Sequence, residues 1–155
     1  DDHLTLLILL DDMNEENGCL RILKGSHNGP RYSHYNGDEY VGKVEEKIQE
    51  KCRNEATKIE GKAGDICLMH TWSLHGGTAN LSKNPRRMLI ADLTSGDNWP
   101  LMPPMVPSIY SGKTVAGKIT RQVRFREAEF ELPKHYKSDS FFGAQGQKSE
   151  QKNLN

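Results

Sequence analysis

Residues 64–90 place the strongest constraint on the fold, because they predict two strands joined by a polar turn. The first strand is predicted over Ile66–His70 as a buried strand, and the second over residues 86–93. The turn between them is rich in Gly, Asn and Ser, which suit tight backbone conformations. The turn presents His75, and Arg86 stands at the start of the returning strand. The two strands therefore frame a turn that carries a histidine and an arginine.

These two side chains suit a metal site with a carboxylate clamp. A neutral imidazole at a strand end is a good ligand for a divalent transition metal. The planar fork of Arg86 can reach toward the same pocket and bind a carboxylate. The spacing alone leaves a second interpretation open, in which His75 is a turn residue with a satisfied hydrogen bond and Arg86 forms a surface ion pair.

Three segments, in the same order, resemble the phytanoyl-CoA dioxygenase family. Residues 75–86 contain His-Gly-Gly, then Asn, Ser and Arg, which is similar to the distal half of the family's active-site motif. Residues 17–27, Asn-Gly-Cys-Leu-Arg-Ile-Leu-Lys-Gly-Ser-His, resemble the family's Asn-Gly-x-Leu-x-x-x-Pro-Gly-Ser-His segment. Residues 64–65, Gly-Asp, match its strand opening. Together the matches extend over the first hundred residues.

The resemblance implies a cofactor, a co-substrate and a role for each of the two residues. It assigns His75 to Fe(II) and Arg86 to the distal carboxylate of 2-oxoglutarate, in an enzyme that uses O2 to hydroxylate an aliphatic carbon of a small molecule. The family's two other iron ligands form a His-x-Asp pair, which completes a facial triad. This chain begins at Asp1 without that pair, so we expect a fragment that is inactive alone.

The chain departs from the family pattern at two further positions. Gly77 stands where the family often has Ser, which predicts the loss of a hydroxyl contact to the co-substrate, and Lys24 replaces the usual Pro. A different class of function also stays open, namely a non-catalytic cupin-type binding module or a degenerate family member without iron. The sequence upstream of Asp1 in the gene product would discriminate these hypotheses.

Two histidines compete for the metal role, and two arginines compete for the carboxylate role. His70 alternates with Ile66 and Leu68 on one strand face, which favours a histidine at the edge of the core. The motif resemblance implies the metal role for His75. Arg87 points to the opposite face of its strand from Arg86 and is predicted to face solvent or to form an ion pair.

Short strands and glycine turns predict a mainly β domain. Residues 38–51 predict a minor amphipathic helix, and their narrow apolar stripe leaves a charged loop open as the alternative. The resemblance makes this a double-stranded β-helix, a cupin-like jelly-roll that is incomplete in this chain. The apolar run over residues 4–10 predicts a strand buried on both faces. We predict a partial dioxygenase domain over residues 1–142 and a disordered polar tail over 143–155.

Charge and cysteine usage limit the partners and the compartment. Lys plus Arg number 21 and Asp plus Glu also number 21, so no global field favours nucleic acid or an anionic membrane. The 3 cysteines form no Cys-x-x-Cys pair, and no apolar run is long enough to span a bilayer. These features predict a cytoplasmic protein. The family resemblance implies a small-molecule substrate and O2 as partners, and the oligomeric state is left open.

Overall fold

The computed structural model of the chain describes residues 3–37, 39–99 and 108–124. Strands dominate these ranges, and the helical elements within them are one α-helix and one 3-10 turn at Ser26–Asn28. The strands and the helix are, in chain order, β1 His3–Leu9, β2 Leu20–Ile22, β3 Tyr35–Asn36, β4 Glu39–Tyr40, α1 Glu46–Glu55, β5 Thr57–Ile59, β6 Ile66–His70, β7 His75–Gly77 and β8 Met88–Thr94. The prediction of a mainly β chain is confirmed.

Six of the described strands form two antiparallel sheets, with strand orders β6-β1-β8 and β5-β2-β7. From β5 onward, each connection carries the chain from one sheet to the other. Strands that cross repeatedly between two packed antiparallel sheets make a jelly-roll. The prediction of a double-stranded β-helix is therefore confirmed.

The core lies between the two sheets. Side chains from β1 and β6 meet side chains from β2 there, together with two residues of the β1–β2 connection. The buried cluster consists of Leu7, Leu9, Met13, Cys19, Leu20 and Met69. Because both sheets contribute to one cluster, their facing sides define an interior surface from which the site is built.

Strand β1 is buried on one face. Leu7 is 3% exposed and Leu9 4%, whereas Leu4, on the other face, is 37% exposed. Leu68 of β6, which lies opposite Leu6 on that outer face, is 56% exposed. The prediction of burial on both faces is therefore wrong for the described part of the chain, because a continuous apolar run does not reveal whether a second layer covers it.

Most element bounds agree with the sequence patterns. Strand β6 has the predicted limits, and β2 lies inside the strand predicted over residues 19–23. The prediction that the strand over Ile66–His70 is buried is wrong for the face that carries Ile66 and Leu68, which are exposed, because the run of apolar residues does not show which face is covered. The helix differs, because α1 spans Glu46–Glu55 rather than residues 38–51. The β3–β4 hairpin occupies the beginning of the predicted segment, and Gly42 follows it with a φ of 66°, which is incompatible with a helix.

The chain divides into two compact units. The described residues of the first unit are 3–32 and 44–95, and they contain both three-stranded sheets and α1. The described residues of the second unit are 33–37, 39–43, 96–99 and 108–124. That unit holds the β3–β4 hairpin and an ion pair in which Arg124 Nη2 donates to Asp97 Oδ1 at 2.7 Å.

Two further predictions concern the polar tail and membrane-spanning segments. Residues 143–155 lie outside the described residues, so the polar tail and the domain limits at 142 stay predictions. Within the described residues, no helix is long and apolar enough to cross a bilayer.

Candidate active site

His75 begins β7 on the side that faces the core. It lies directly opposite Ile22 of β2, and Gly77 lies opposite Leu20. Directly opposed residues of an antiparallel pair project to the same side of the sheet. Since Leu20 is buried and Ile22 packs on the core cluster, His75 projects toward the interior surface, while its own side chain stays exposed.

The ring of His75 is held in the tautomer that a metal ligand needs. Its Nδ1 atom lies 2.7 Å from the backbone oxygen of Ser73. A carbonyl oxygen can only accept, so Nδ1 is the donor in this bond, and Nε2 is the ring nitrogen left to face a metal. Fixing the second nitrogen in this way is the usual orientation of a metal-bound histidine.

Ser26 fixes the backbone immediately before His75. Its hydroxyl donates to the carbonyl oxygen of Leu23 at 2.7 Å and accepts from the Leu74 N–H at 2.8 Å. The Leu23 N–H in turn donates to the Leu74 carbonyl oxygen at 2.9 Å. These bonds fasten the end of β2 to the start of β7, and they set where the imidazole of His75 emerges.

Arg86 extends along the same face of β7. A Cβ atom added at Gly77 would stand 3.8 Å from Arg86 Nη2. Residues i and i+2 of a strand project to one side, about 6.6 Å apart, so Gly77 marks the side from which His75 projects. The imidazole and the guanidinium therefore share one face of β7.

The guanidinium of Arg86 is half-buried and lacks a carboxylate partner among the described residues. Its Nε donates to the Asn17 carbonyl oxygen at 3.2 Å. A guanidinium has five N–H donors, so this single bond leaves most of its capacity unused. A partly desolvated cation in this state is suited to bind an anionic group.

Arg87 points the other way, as predicted. Its Nε and Nη2 donate to the two carboxylate oxygens of Asp11 at 2.9 and 2.8 Å, in a bidentate pair. The side-chain hydrogen bond from Arg87 and a backbone hydrogen bond from the same residue lower the pKa of Asp11 to about 2. Arg87 is thus satisfied by a partner from the chain itself, in contrast to Arg86.

His70 lies on the outer face of its sheet, opposite Leu4. Its Nδ1 accepts from the Trp72 N–H at 3.1 Å, and its ring stacks on His27 with centroids 5.3 Å apart. The prediction that His70 shares a face with Ile66 and Leu68 is confirmed, although that face is exposed rather than packed against the core. A cavity of about 400 Å³ also involves this outer region and is lined by Leu4, His70, Leu93, Thr94 and Ser95.

The described residues do not assemble a three-ligand iron site. They contain no cluster of three or more His, Cys, Asp or Glu side chains that could hold a metal ion. The sequence has 6 histidines, and none is followed two residues later by Asp. Of the predicted iron ligands, His75 therefore lies among the described residues, and the sequence has no His-x-Asp pair beside it.

The structure adds two residues for which the sequence predicted no contact near His75 or Arg86. Ser26 orders the approach to His75, and Asn17 provides the carbonyl that holds Arg86. Both lie in the segment 17–27 that resembles the family. The signal was present as a motif, but a motif does not identify which distant residue each of its members contacts.

Comparison with known proteins gives a family match and one curated relative. Residues 1–88 match the model of the family described as phytanoyl-CoA dioxygenase. A protein of Stutzerimonas stutzeri, named probable alpha-ketoglutarate-dependent hypophosphite dioxygenase, is 32% identical over 137 residues, which is 86% of this chain and 48% of the relative. The chain spans about half the length of the curated relative that it matches.

Solved structures with partial likeness include two from bacteria. EctD from S. alaskensis with bound Fe is 22% identical, with 61% of this chain and 32% of that chain covered at a TM-score of 0.48. EvdO2 from Micromonospora carbonacea var. aurantiaca, complexed with 2-oxoglutarate, is 25% identical, with 63% and 42% covered at a TM-score of 0.46.

Proposed function

Because the chain belongs to the phytanoyl-CoA dioxygenase family, we propose that the full-length protein is an Fe(II)- and 2-oxoglutarate-dependent dioxygenase that oxidises a small molecule with O2. The observation that carries this proposal is the placement of His75 and Arg86 on one face of β7. Metal-binding and carboxylate-binding groups on one surface match the two ends of a keto diacid that chelates a metal.

Each residue of the pair has a defined task. His75 would hold iron through Nε2, since Nδ1 is engaged by the Ser73 carbonyl oxygen. Arg86 would orient 2-oxoglutarate by pairing with the carboxylate that is distant from the metal. Iron and 2-oxoglutarate together supply the oxidising chemistry when bound, and the protein contributes positioning and the exclusion of water. The His-x-Asp pair would come from outside the described residues.

We propose an aliphatic carbon as the position that is oxidised. A specific observation favours a second candidate, because the relative with 32% identity is named for hypophosphite. The two substrates differ in the bond attacked, C–H in one and P–H in the other. Incubating the full-length enzyme with hypophosphite or with a panel of aliphatic acids, and measuring substrate-dependent succinate, separates them. Stimulation by hypophosphite alone would exclude the aliphatic proposal.

Arg86 is tested through the 2-oxoglutarate requirement. We expect Arg86→Ala in the full-length protein to raise the KM for 2-oxoglutarate by about 100-fold, the loss of a charge-assisted bidentate pair. Arg87→Ala is the matched control, because Arg87 is satisfied by Asp11 on the other side of the strand. An unchanged KM in Arg86→Ala would remove Arg86 from this role.

His75 is tested through iron content. We expect His75→Ala to lose bound iron, whereas His70→Ala keeps it, because His70 lies on the outer face. The alternative of a binding module without iron predicts no iron in the wild-type protein and no succinate from 2-oxoglutarate. Wild-type iron content in His75→Ala would also contradict the proposal.

A further inference from the structure

We propose that Asn17 is a positioning residue for 2-oxoglutarate, acting through Arg86. The inference rests on the proposed function, because it assumes that Arg86 binds the co-substrate. Asn17 is 69 residues before Arg86 in the chain, and its carbonyl oxygen accepts from Arg86 Nε at 3.2 Å. Nε lies in the plane of the guanidinium, so this bond sets the direction in which Nη1 and Nη2 point.

The Asn17 carbonyl can orient the guanidinium because the residue itself is fixed. Asn17 is 3% exposed. Its Oδ1 accepts from the Asn14 N–H at 2.8 Å and its Nδ2 donates to the Asp12 carbonyl oxygen at 2.7 Å. The Asn17 N–H donates to Asn14 Oδ1 at 3.1 Å. A buried residue whose side chain makes two hydrogen bonds and whose backbone N–H makes a third holds its carbonyl in one direction.

The loop that leads to Arg86 rests on the same turn. Gly18 has a φ of 80°, and a Cβ atom there would stand 2.4 Å from the Thr78 carbonyl oxygen. The Leu81 N–H donates to the Glu16 carbonyl oxygen at 3.1 Å. Residues 14–18 therefore contact the connection between β7 and β8 at both of these points, as well as at Arg86. A shift of this turn must displace the guanidinium relative to His75.

This geometry predicts that Asn17→Ala weakens the binding of 2-oxoglutarate. Asn17→Ala removes both side-chain hydrogen bonds, so the turn relaxes and its carbonyl no longer holds Nε in place. Arg86 keeps its charge but loses its fixed orientation, which costs part of the binding of a carboxylate. We expect the affinity for 2-oxoglutarate to fall, with a smaller effect on kcat once 2-oxoglutarate is saturating.

The test is a double-mutant cycle on the full-length protein. The dissociation constant of 2-oxoglutarate is measured by anaerobic calorimetry on protein loaded with Fe(II). We expect increases of about 100-fold for Arg86→Ala and about 10-fold for Asn17→Ala, in the range of charged and oriented hydrogen bonds. The double variant should match Arg86→Ala, because Asn17 acts only through that side chain.

Lys62→Met is the matched control. It removes an exposed ion pair with Asp12 at the start of the same turn and contacts neither Asn17 nor Arg86. We expect its dissociation constant to equal that of the wild type. A weakening by Lys62→Met as large as that by Asn17→Ala would show a general effect of the turn and overturn the positioning role.

The remaining outcomes separate the two proposals. An unchanged constant in Arg86→Ala contradicts the proposed role of Arg86 and removes the premise here. Two outcomes overturn the positioning role alone, given a raised dissociation constant in Arg86→Ala. In the first, Asn17→Ala leaves the dissociation constant unchanged. In the second, Asn17→Ala weakens binding equally in the Arg86→Ala background. If Asn17→Ala does not fold, Asn17→Asp replaces it, since a carboxylate repels the Asp12 carbonyl oxygen and must also shift the turn. Wild-type affinity in folded Asn17→Asp overturns the inference.

Discussion

Gly77 and Arg86 lie so close together that a Cβ atom added at Gly77 would stand 3.8 Å from the Arg86 Nη2 atom. The other atoms near that position are backbone oxygens of Gly18 and Cys19, at 3.5 and 3.9 Å. All three are ordinary contacts. The chain thus has room for a Cβ atom at Gly77, beside the guanidinium of Arg86.

The first prediction fills this space. Gly77→Ser in the full-length protein should fold normally and lower the KM for 2-oxoglutarate by about threefold, since a hydroxyl adds one hydrogen bond beside Arg86. Gly76→Ser is the control, because Gly76 lies on the opposite face and a Cβ there meets nothing within 4 Å. An increase in KM for Gly77→Ser, with Gly76→Ser unchanged, would contradict the available space.

The second prediction concerns the close approach at Gly18. Gly18→Ala should lower the free energy of unfolding by about 1–3 kcal/mol or more, because it combines a left-handed backbone with a steric clash against Thr78. Gly25→Ala separates the two causes, since Gly25 has a φ of 77° but nothing within 4 Å of an added Cβ. Urea denaturation of both variants gives the comparison. Equal destabilisation would mean that the contact with Thr78 contributes nothing.

The third prediction is a pH dependence. The Arg87 hydrogen bonds lower the pKa of Asp11 from 3.8 to about 2. A carboxyl whose pKa is depressed in the folded state stabilises the fold above its ordinary pKa, and this contribution is lost as pH falls from about 4 to about 2. Arg87→Ala should remove that contribution and flatten the stability curve in this window.

The measurement is the urea midpoint of unfolding for wild-type and Arg87→Ala protein at a series of pH values between about 2 and 6. The lowered pKa of Asp11 places the expected change between about pH 2 and pH 4. The two curves should converge at the acid end and separate above the ordinary pKa of Asp11. A constant separation at every pH would show that the pair is not the source of the dependence.

The fourth prediction compares the two faces of the sheet that contains β1. Leu7→Ala should cost about 2–5 kcal/mol of unfolding free energy, because it leaves a cavity in the buried cluster. Leu68→Ala on the outer face, where the side chain is 56% exposed, should cost clearly less. Thermal unfolding of the two variants tests this. Equal losses would mean that the outer face is covered in the full-length protein.

The sequence by itself determined the local features of this protein. The short apolar run at the start of Ile66–His70 predicted β6 with its observed limits, since strand-forming residues between turn residues are a local signal. The ordered motifs around Asn17 and His75 identified the family, and Arg86 and Arg87 were assigned to opposite faces because that relationship is also local.

The tertiary structure alone decided the relationships between distant segments. The carbonyl oxygen of Asn17 accepts a hydrogen bond from Arg86, and the hydroxyl of Ser26 holds the backbone next to His75. Both contacts join residues that are far apart in the chain. Residue patterns also did not reveal that, in the described part of the chain, β1 is covered on one face and exposed on the other. Periodicity reports which side a residue takes, but the neighbour on that side depends on how the sheets pack.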